Sequence, residues 1–535
     1  MFGGTGSRFP KRTMAMARRS HPVLAGLGPI PLDRTADRTA VMPLYQQLYK
    51  ALRQAILDGR MKPGARMPAT RIAAQEWAVS RNTVVTAYDL LLTEGYVTGR
   101  VGAGTYVATA LPDPPPIGSA DGMADGAANW TGRARGIGLS RRGAALATPV
   151  HPCAPARRPF SLGVPDPEVF PFALWSKLLA QPWRVGGRSL AVSADPLGYP
   201  PLRAAIADYL RAMRAVRCEP EQVVILSGAQ QALALLAQLL LDPGDPVWME
   251  EPGWPGTRSA LAGAGARIVP VPVDGEGIDV AEGQRRAPDA RMALVTPSHQ
   301  FPLGATMSLR RRAALLDWAV ARDAWIVEDD YDSEFRYAGP PLAALQGLDE
   351  AGRVLYIGSF SKVMFPTLRL GYLVVPPDLV DAVRAGRRHF DGGTSVVPQA
   401  ALHRFIAEEH FASHLRAMRA LYAERRDALL DALRQHVEPI TRIDGGEAGL
   451  HIVAHLDGRH RDVEVASRAA RLGLSSPPLS SYYAEPTAAN GLVLGFAAHP
   501  AEALAAAVRG LAGVLAGAGR TDAVLPDRRR RTDDG

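Results

Sequence analysis

The stretch GSFSKVMFPTLRLGY, residues 358–372, sets one lysine among small hydroxyl residues, with an arginine further on. A deprotonated lysine amine adds to an aldehyde and forms an imine, so Lys362 is a candidate covalent anchor for a carbonyl compound. Ser359, Ser361 and Arg369 supply the hydroxyl and guanidinium donors that hold a doubly charged phosphate. The apolar run AWIV is followed by EDDYDSEF, which puts Asp329 at the carboxyl end of a strand, the edge where open α/β sheets bind ligands. An acid there can pair with a ring nitrogen and keep it protonated, making the ring an electron sink. Tyr331 stands close enough to donate to a phenolic oxygen. The neighbouring acids Glu328 and Asp330 read as solvated or capping.

Three further stretches complete the set. In ILSGAQQALALLAQLL a strand, a small-residue turn and a helix follow one another, so the amides of Gly228, Ala229 and Gln230 lie at a helix N-terminus and can cradle an anion. In EEPGWPG, Trp254 offers either a stacking face or a core plug, and in TPSHQFPLG the side chain of His299 is within reach of a ring. An imine-forming amine, an acid, an aromatic face and anion donors are the requirements of pyridoxal 5'-phosphate. Each feature alone is common in proteins that bind no cofactor. Their order along one chain is what points to it.

The elements that must position these groups lie in the second part of a long chain. At 535 residues it exceeds one ordinary core, and 47% hydrophobic against 21% charged residues describes a globular protein. Two cysteines, Cys153 and Cys218, outside any CxxC or Cys/His cluster, argue against disulfide scaffolds and metal sites and for a reducing cytoplasm. The longest apolar run, ALALLAQLLL, is far short of the roughly 20 residues a membrane helix needs. The N-terminus lacks the sustained apolar region of a signal peptide. Residues 1–40 read as a flexible extension, 41–109 as a small domain, 110–157 as a Pro/Gly/Ala-rich linker without helical pattern, 158–517 as a large domain and 518–535 as a basic disordered tail. Short apolar strands alternating with helices make the large domain α/β with a mainly parallel sheet.

The small domain carries eight basic against four acidic residues between Val41 and Thr109, half of the chain's net +8, as a polyanion partner would require. Leu44, Leu48, Leu52 and Ile56 predict a first helix. ATRIAAQEWA predicts a second, with Thr70 as its N-cap, and Ser80 caps a third in which Val84, Ala87, Tyr88 and Leu91 make one apolar face. Arg81, Asn82 and Thr83 occupy its first turn and Thr86 its outer face, where a helix-turn-helix presents residues to base edges and phosphates. YVTGRVGAGTYVA predicts two short strands around a glycine-rich turn with Arg100 and Gly102 at the tip, a wing.

PLYQQLYKALRQAIL, GRMKPGARMPATR, VSRNTVVTAY, LLTEGYV and GAGTYVA, in this order, resemble the GntR-type winged helix-turn-helix over its full length. The resemblance implies operator DNA as a partner and Arg71, Arg81, Thr83, Arg100 and Gly102 as contacts. Two departures are Ala78, where the turn commonly has glycine, and Trp77 in place of a leucine.

ADPLGYPPLRAAIADYL, SGAQQAL, EEPGWPG, TPSHQFPLG, VEDDYDSEF, GSFSK and LRLGY likewise resemble the fold-type I aminotransferases from about Phe160 to Gly517. Fused behind a GntR-type reader they match the MocR family of transcriptional regulators, which includes the PdxR and GabR types. The resemblance implies Lys362 as the imine lysine, Asp329 at the pyridine nitrogen, Tyr331 at the phenolic oxygen, and Trp254 at the stacking position. It further implies Ser359, Ser361 and Arg369 as phosphate ligands, and Tyr199 reaching the phosphate of the neighbouring subunit in a homodimer. Aminotransferases usually carry a carboxylate-clamping arginine near the C-terminus, where NGLVLGFA puts Val493; the asparagine that usually precedes Pro-x-Gly is also missing, leaving His299 and Gln300 as substitutes. The expected function is a cytoplasmic, PLP-dependent regulator that senses the cofactor itself, an amine or an amino acid through Lys362. The alternative is a working aminotransferase with an accessory DNA-binding domain.

Overall fold

The computed structural model describes Ile30, Leu32 and residues 42–100, 103–111, 138–147, 158–192, 195–339, 342–438 and 440–517, which divide into two compact units, Met1–Ile137 and Gly138–Gly535. Most of the extension, linker and tail expected from the sequence lies outside these residues. Where it does not, order appears: Ile30 and Leu32 pack against the core of the first unit. Within the expected linker, Arg141–Ala147 forms a helix, which the Pro/Gly-rich composition had hidden. Its start is capped by Ser140, whose hydroxyl accepts from Gly143 N–H at 3.0 Å.

In the first unit α1 (Leu44–Leu57), α2 (Thr70–Glu76) and α3 (Arg81–Thr93) precede an antiparallel pair, β1 (Val97–Arg100) and β2 (Gly104–Val107). The apolar periodicity is realised: Leu48, Leu52 and Ile56 of α1 and Val84, Ala87, Tyr88 and Leu91 of α3 are buried together, with Trp77 closing the core beside them. Ser80 caps α3 and accepts from Thr83 N–H at 3.1 Å. Thr70 does not cap α2. The backbone leaves the extended region at Ala69, so the helix begins one residue earlier, and the Thr70 hydroxyl instead accepts from Arg81 Nε at 3.4 Å. Ala78 sits at φ +49°, the left-handed turn conformation, at a cost on the order of 1 kcal/mol relative to glycine.

The strands of the second unit are β3 (Val223–Leu226), β4 (Pro246–Glu251), β5 (Arg267–Asp274), β6 (Gly277–Ile278), β7 (Met292–Val295), β8 (Trp325–Asp330), β9 (Val354–Ser359) and β10 (Gly371–Val374). They form one sheet in the order β3-β10-β9-β8-β7-β4-β5-β6. The strands β5, β4, β7, β8 and β9 run parallel, and β3, β4 and β7 are buried throughout, which is why they read as unbroken apolar runs. The strand β10 enters antiparallel to both β3 and β9. Its amino end therefore arrives at the edge where β3, β8 and β9 finish. A second, antiparallel sheet contains β11 (Ile440–Gly445), β12 (His451–Leu456) and β13 (Gly491–Gly495). Phe160 bridges to Gly495, so the first residues of this unit close against its last strand.

Candidate functional site

The first unit presents one polar face above its core. Arg71, Arg81, Asn82 and Thr86 are exposed, while Thr83 is half-buried against its cap. Arg71 has no ion-pair partner among the described residues, so its charge is available to a polyanion. In the wing, Arg100 pairs with Gly104 across the strands and its guanidinium lies 4.8 Å from the centroid of the Tyr106 ring. That contact holds a long side chain outstretched at the wing tip. Gly102 lies outside the described residues. Arg66, one of the eight basic residues but not among the expected DNA contacts, is exposed beside Gly104, whose Cβ position stands 3.4 Å from its Nε. Its cue was position alone, two residues after a turn glycine.

In the second unit the loops after β3, β7, β8 and β9 converge with the entry to β10 around Lys362. Its amine donates to the carbonyl of Gly163 at 3.1 Å. Gly163 has φ +59°, which favours glycine, and a Cβ there would stand 2.3 Å from Nζ and displace the amine from this position. Burial lowers the lysine pKa, with Asp332 and then Asp329 pulling the other way. Burial thus shifts the amine towards its neutral, nucleophilic form, the state that imine chemistry requires.

Alternation along β8 sorts its three acids. Glu328 accepts from the amides of Leu345 and Gln346, each at 2.8 Å, and Asp330 pairs with Arg214 at 2.7 Å and accepts from the Tyr356 hydroxyl. Both are buried, so neither is solvated; Glu328 instead caps two backbone amides, one of the two roles expected of it. Asp329 points to the other face, and its Oδ1 is buried with no hydrogen-bond partner. Desolvation and Asp330 push its pKa up to about 7, while Lys362 lowers it. An unsatisfied buried carboxylate facing a lysine calls for a positively polarised partner.

His299 follows β7 and is buried, with Nδ1 3.1 Å from Asp332 Oδ1 and 3.0 Å from the Tyr331 hydroxyl. The carboxylate selects the Nδ1–H form, and Nε2 is buried without a partner. Asp332 was missed in the sequence reading, although EDDYDSEF contains it. Gln300 is no substitute for the missing asparagine: its amide donates to Glu250 Oε2, Pro252 O and Phe301 O, which consumes it within the loop.

Around Gly228 the sequence-expected anion cradle takes shape. Gly228, at φ +121°, precedes the helix Ala229–Leu240, and a Cβ on it would stand 3.9 Å from Arg369 Nη1. Arg369 is exposed with no hydrogen-bond or ion-pair partner among the described residues. Ser359 Oγ accepts from Ser361 N–H at 3.2 Å at the end of β9, shaping the turn before Lys362. Gln230 donates to Gly256 O at 3.0 Å, tying the cradle to the helix that follows Trp254. Trp254 is 36% exposed, so it is not a core plug. Tyr199 sits at the start of the helix Pro200–Arg214 with its ring 6.0 Å from that of His403. Val493 is fully buried.

Tested against this geometry, pyridoxal phosphate fits: the orphaned Asp329 Oδ1 suits a protonated ring nitrogen, the helix N-terminus with Arg369 suits a phosphate, and Lys362 suits an aldehyde. Comparisons with known proteins agree in class. Residues 161–470 match the aminotransferase class I and II family, and residues 44–107 match the bacterial regulatory proteins of the gntR family. A probable rhizopine catabolism regulatory protein, MocR, of Rhizobium meliloti is 44% identical, covering 86% of this chain and 91% of that protein. The pyridoxine biosynthesis transcriptional regulator PdxR of Corynebacterium glutamicum is 32% identical over 86% of this chain and 93% of its own. Among solved structures, LysN, an alpha-aminoadipate aminotransferase from Thermus thermophilus, superposes with a TM-score of 0.65 at 29% identity, covering 71% of this chain and 97% of that one. A reader of DNA joined to a domain of the pyridoxal-phosphate-dependent aminotransferase class is thereby defined. The chain belongs to the MocR-type regulators of the GntR family. No helix among the described residues is long and apolar enough to cross a membrane.

Proposed function

We propose that this chain is a DNA-binding transcriptional regulator that holds pyridoxal phosphate on Lys362 and reads out the cofactor, or an amine that reaches it, as a change in DNA binding. The observation that carries the reading is the enclosed Lys362 with the unpartnered Asp329 Oδ1 beside it, in a chain whose other unit keeps Arg71, Arg81 and Asn82 exposed. When bound, the cofactor supplies an aldehyde that captures amines and a ring that withdraws electrons. The chain's own residues do the rest. Asp329 would hold a proton at the ring nitrogen, Tyr331 is oriented by His299, Arg369 and the amides at Gly228 would bind the phosphate, and Trp254 would supply the stacking face. Burial keeps the Lys362 amine reactive.

Ligand capture shifts DNA affinity only by its differential affinity for two arrangements of the readers. A homodimer, with Tyr199 serving the neighbouring phosphate, supplies the two readers. The second reading, a working aminotransferase, draws on the same cofactor-holding residues around Lys362. The test is a purified full-length chain examined for the absorption band of lysine-bound pyridoxal phosphate, then titrated with its upstream DNA with and without candidate amines. A band lost in Lys362→Ala, together with amine-dependent DNA affinity, supports the regulator. Steady turnover of an amino donor and a keto acid, with DNA affinity indifferent to both, supports the enzyme.

A further inference from the structure

We propose that the ligand sensed over Lys362 is a primary amine without a carboxylate beside its amino group, and that the pocket discriminates against ordinary α-amino acids. This deepens the reading above and rests on Lys362 being the cofactor's lysine. Side chains in the small sheet alternate between its two faces. Ile452 and Ala454 of β12 and Leu492 and Leu494 of β13 face the main core of the unit. That leaves Val453 and Val493 on the opposite face, where they pack with Leu479 and Tyr482 and against Leu162, Phe301 and Leu303.

This face is the wall beside the lysine. Leu162 adjoins Gly163, the residue whose carbonyl accepts from Lys362 Nζ. The Phe301 ring lies 6.0 Å from Tyr331, 5.2 Å from His451 and 5.3 Å from Tyr482. The wall is therefore aliphatic and aromatic, and its one imidazole is neutral: His451 donates from Nε2 to Pro302 O at 3.0 Å, and burial drives its pKa to about 3. Arg258 reaches the back of Tyr482, donating to its backbone carbonyl at 3.3 Å, and neighbours Glu251.

The charges acting on Lys362 are acids, Asp332 and Asp329. A ligand carboxylate beside the reacting nitrogen would meet an apolar wall with the aliphatic Val493 where a clamping guanidinium would stand, which leaves an anion desolvated and unpaired. An amine whose carbon skeleton is apolar meets the opposite: the partly buried Phe301 and Leu162 remove its surface from water, with the buried Val493 and Tyr482 packed behind them. A missing anchor selects between ligands by leaving the wrong one unpaired, beside whatever contacts favour the right one.

The experiment uses the full-length chain loaded with pyridoxal phosphate. After the lysine-bound absorption band is recorded, matched pairs are titrated: 2-phenylethylamine against L-phenylalanine, and 3-methylbutylamine against L-leucine, with concentrations expressed as free amine. Within each pair the amine is expected to shift the band at a tenfold or lower concentration. An amino acid that shifts it at the same or a lower concentration than its decarboxylated partner overturns this inference while leaving Lys362 as the anchor. No band in the wild-type chain overturns both. Val493→Arg is expected to bring the amino-acid midpoints down at least tenfold, whereas Val493→Leu, which adds bulk and no charge, does not lower them. If circular dichroism shows Val493→Arg unfolded, the wild-type pairs decide alone.

Discussion

In the reader, Arg71, Arg81 and Asn82 stand in water on a small apolar core; in the large unit, Lys362, Asp329, Asp332 and His299 are enclosed among packed strands and loops. The two regions spend their stability differently. An exposed arginine costs little to hold and acts through a field that salt screens over about 8–10 Å, so the reader's function is electrostatic and tunable by ionic strength. An enclosed acid is destabilised until its partner arrives. Asp329, Glu250, Glu328 and Glu334 each have pKa values pushed up to about 7, with desolvation the first cause in all four. Three of them are answered inside the fold: Glu250 by Thr296 and Gln300, Glu328 by two backbone amides, and Glu334, at one oxygen, by the Tyr209 hydroxyl. Asp329 is answered by none, and that difference separates structural acids from a binding one.

The comparison can be broken most sharply at Lys362. Lys362→Ala is expected to remove the cofactor band completely, read by absorbance, while the salt slope of DNA binding stays as in wild type; a change in that slope would mean the two regions share their charges. On the reader side, Arg81→Ala is expected to weaken operator binding about tenfold or more and to lower the salt slope by about 1, measured by fluorescence anisotropy across salt.

Asp329→Asn tests the enclosed acid by pH. Its folded pKa is raised from 3.8 to about 7, so the stability it contributes is fully present below its unfolded pKa and is lost as pH rises through the folded one. The upper bound of that loss is about 4 kcal/mol, and the neighbouring acids share it. The cofactor-free variant should therefore be more stable than wild type at pH 8, by about 1–2 kcal/mol in denaturant titrations, and equal to it at pH 4. Last, Ala78→Gly removes a left-handed alanine and is expected to stabilise the reader by about 1 kcal/mol, seen as a higher melting temperature with DNA affinity unchanged.

The reader was nearly all legible in the sequence because a helix with one apolar face declares its other face by default. Val84, Ala87, Tyr88 and Leu91 go inside, so Arg81, Asn82 and Thr86 are left outside. What escaped was local backbone: the start of α2 at Thr70, and Arg66, whose place depends on the wing lying beside it. In the large unit the strand ends were legible as apolar runs stopping at polar residues. Which acid of EDDYD faces the lysine is fixed by alternation once the strand's register is known, and no local pattern reveals that Asp332 meets His299 or that Gly163 receives the lysine from 199 positions away. The short strand β10 was hidden for the same reason, since its pairing with β3 and β9 is long-range.

The bridge from Phe160 to Gly495 has a consequence for how the molecule is made. The core of the reader is drawn from residues 30–111, which leave the ribosome early, and a domain of local helices folds as it emerges. The pocket around Lys362 has to wait for β13, because the segment carrying Gly163 is held in place by the final strand of its unit. Each nascent chain thus passes through an interval with its DNA-binding surface formed and its sensor still open.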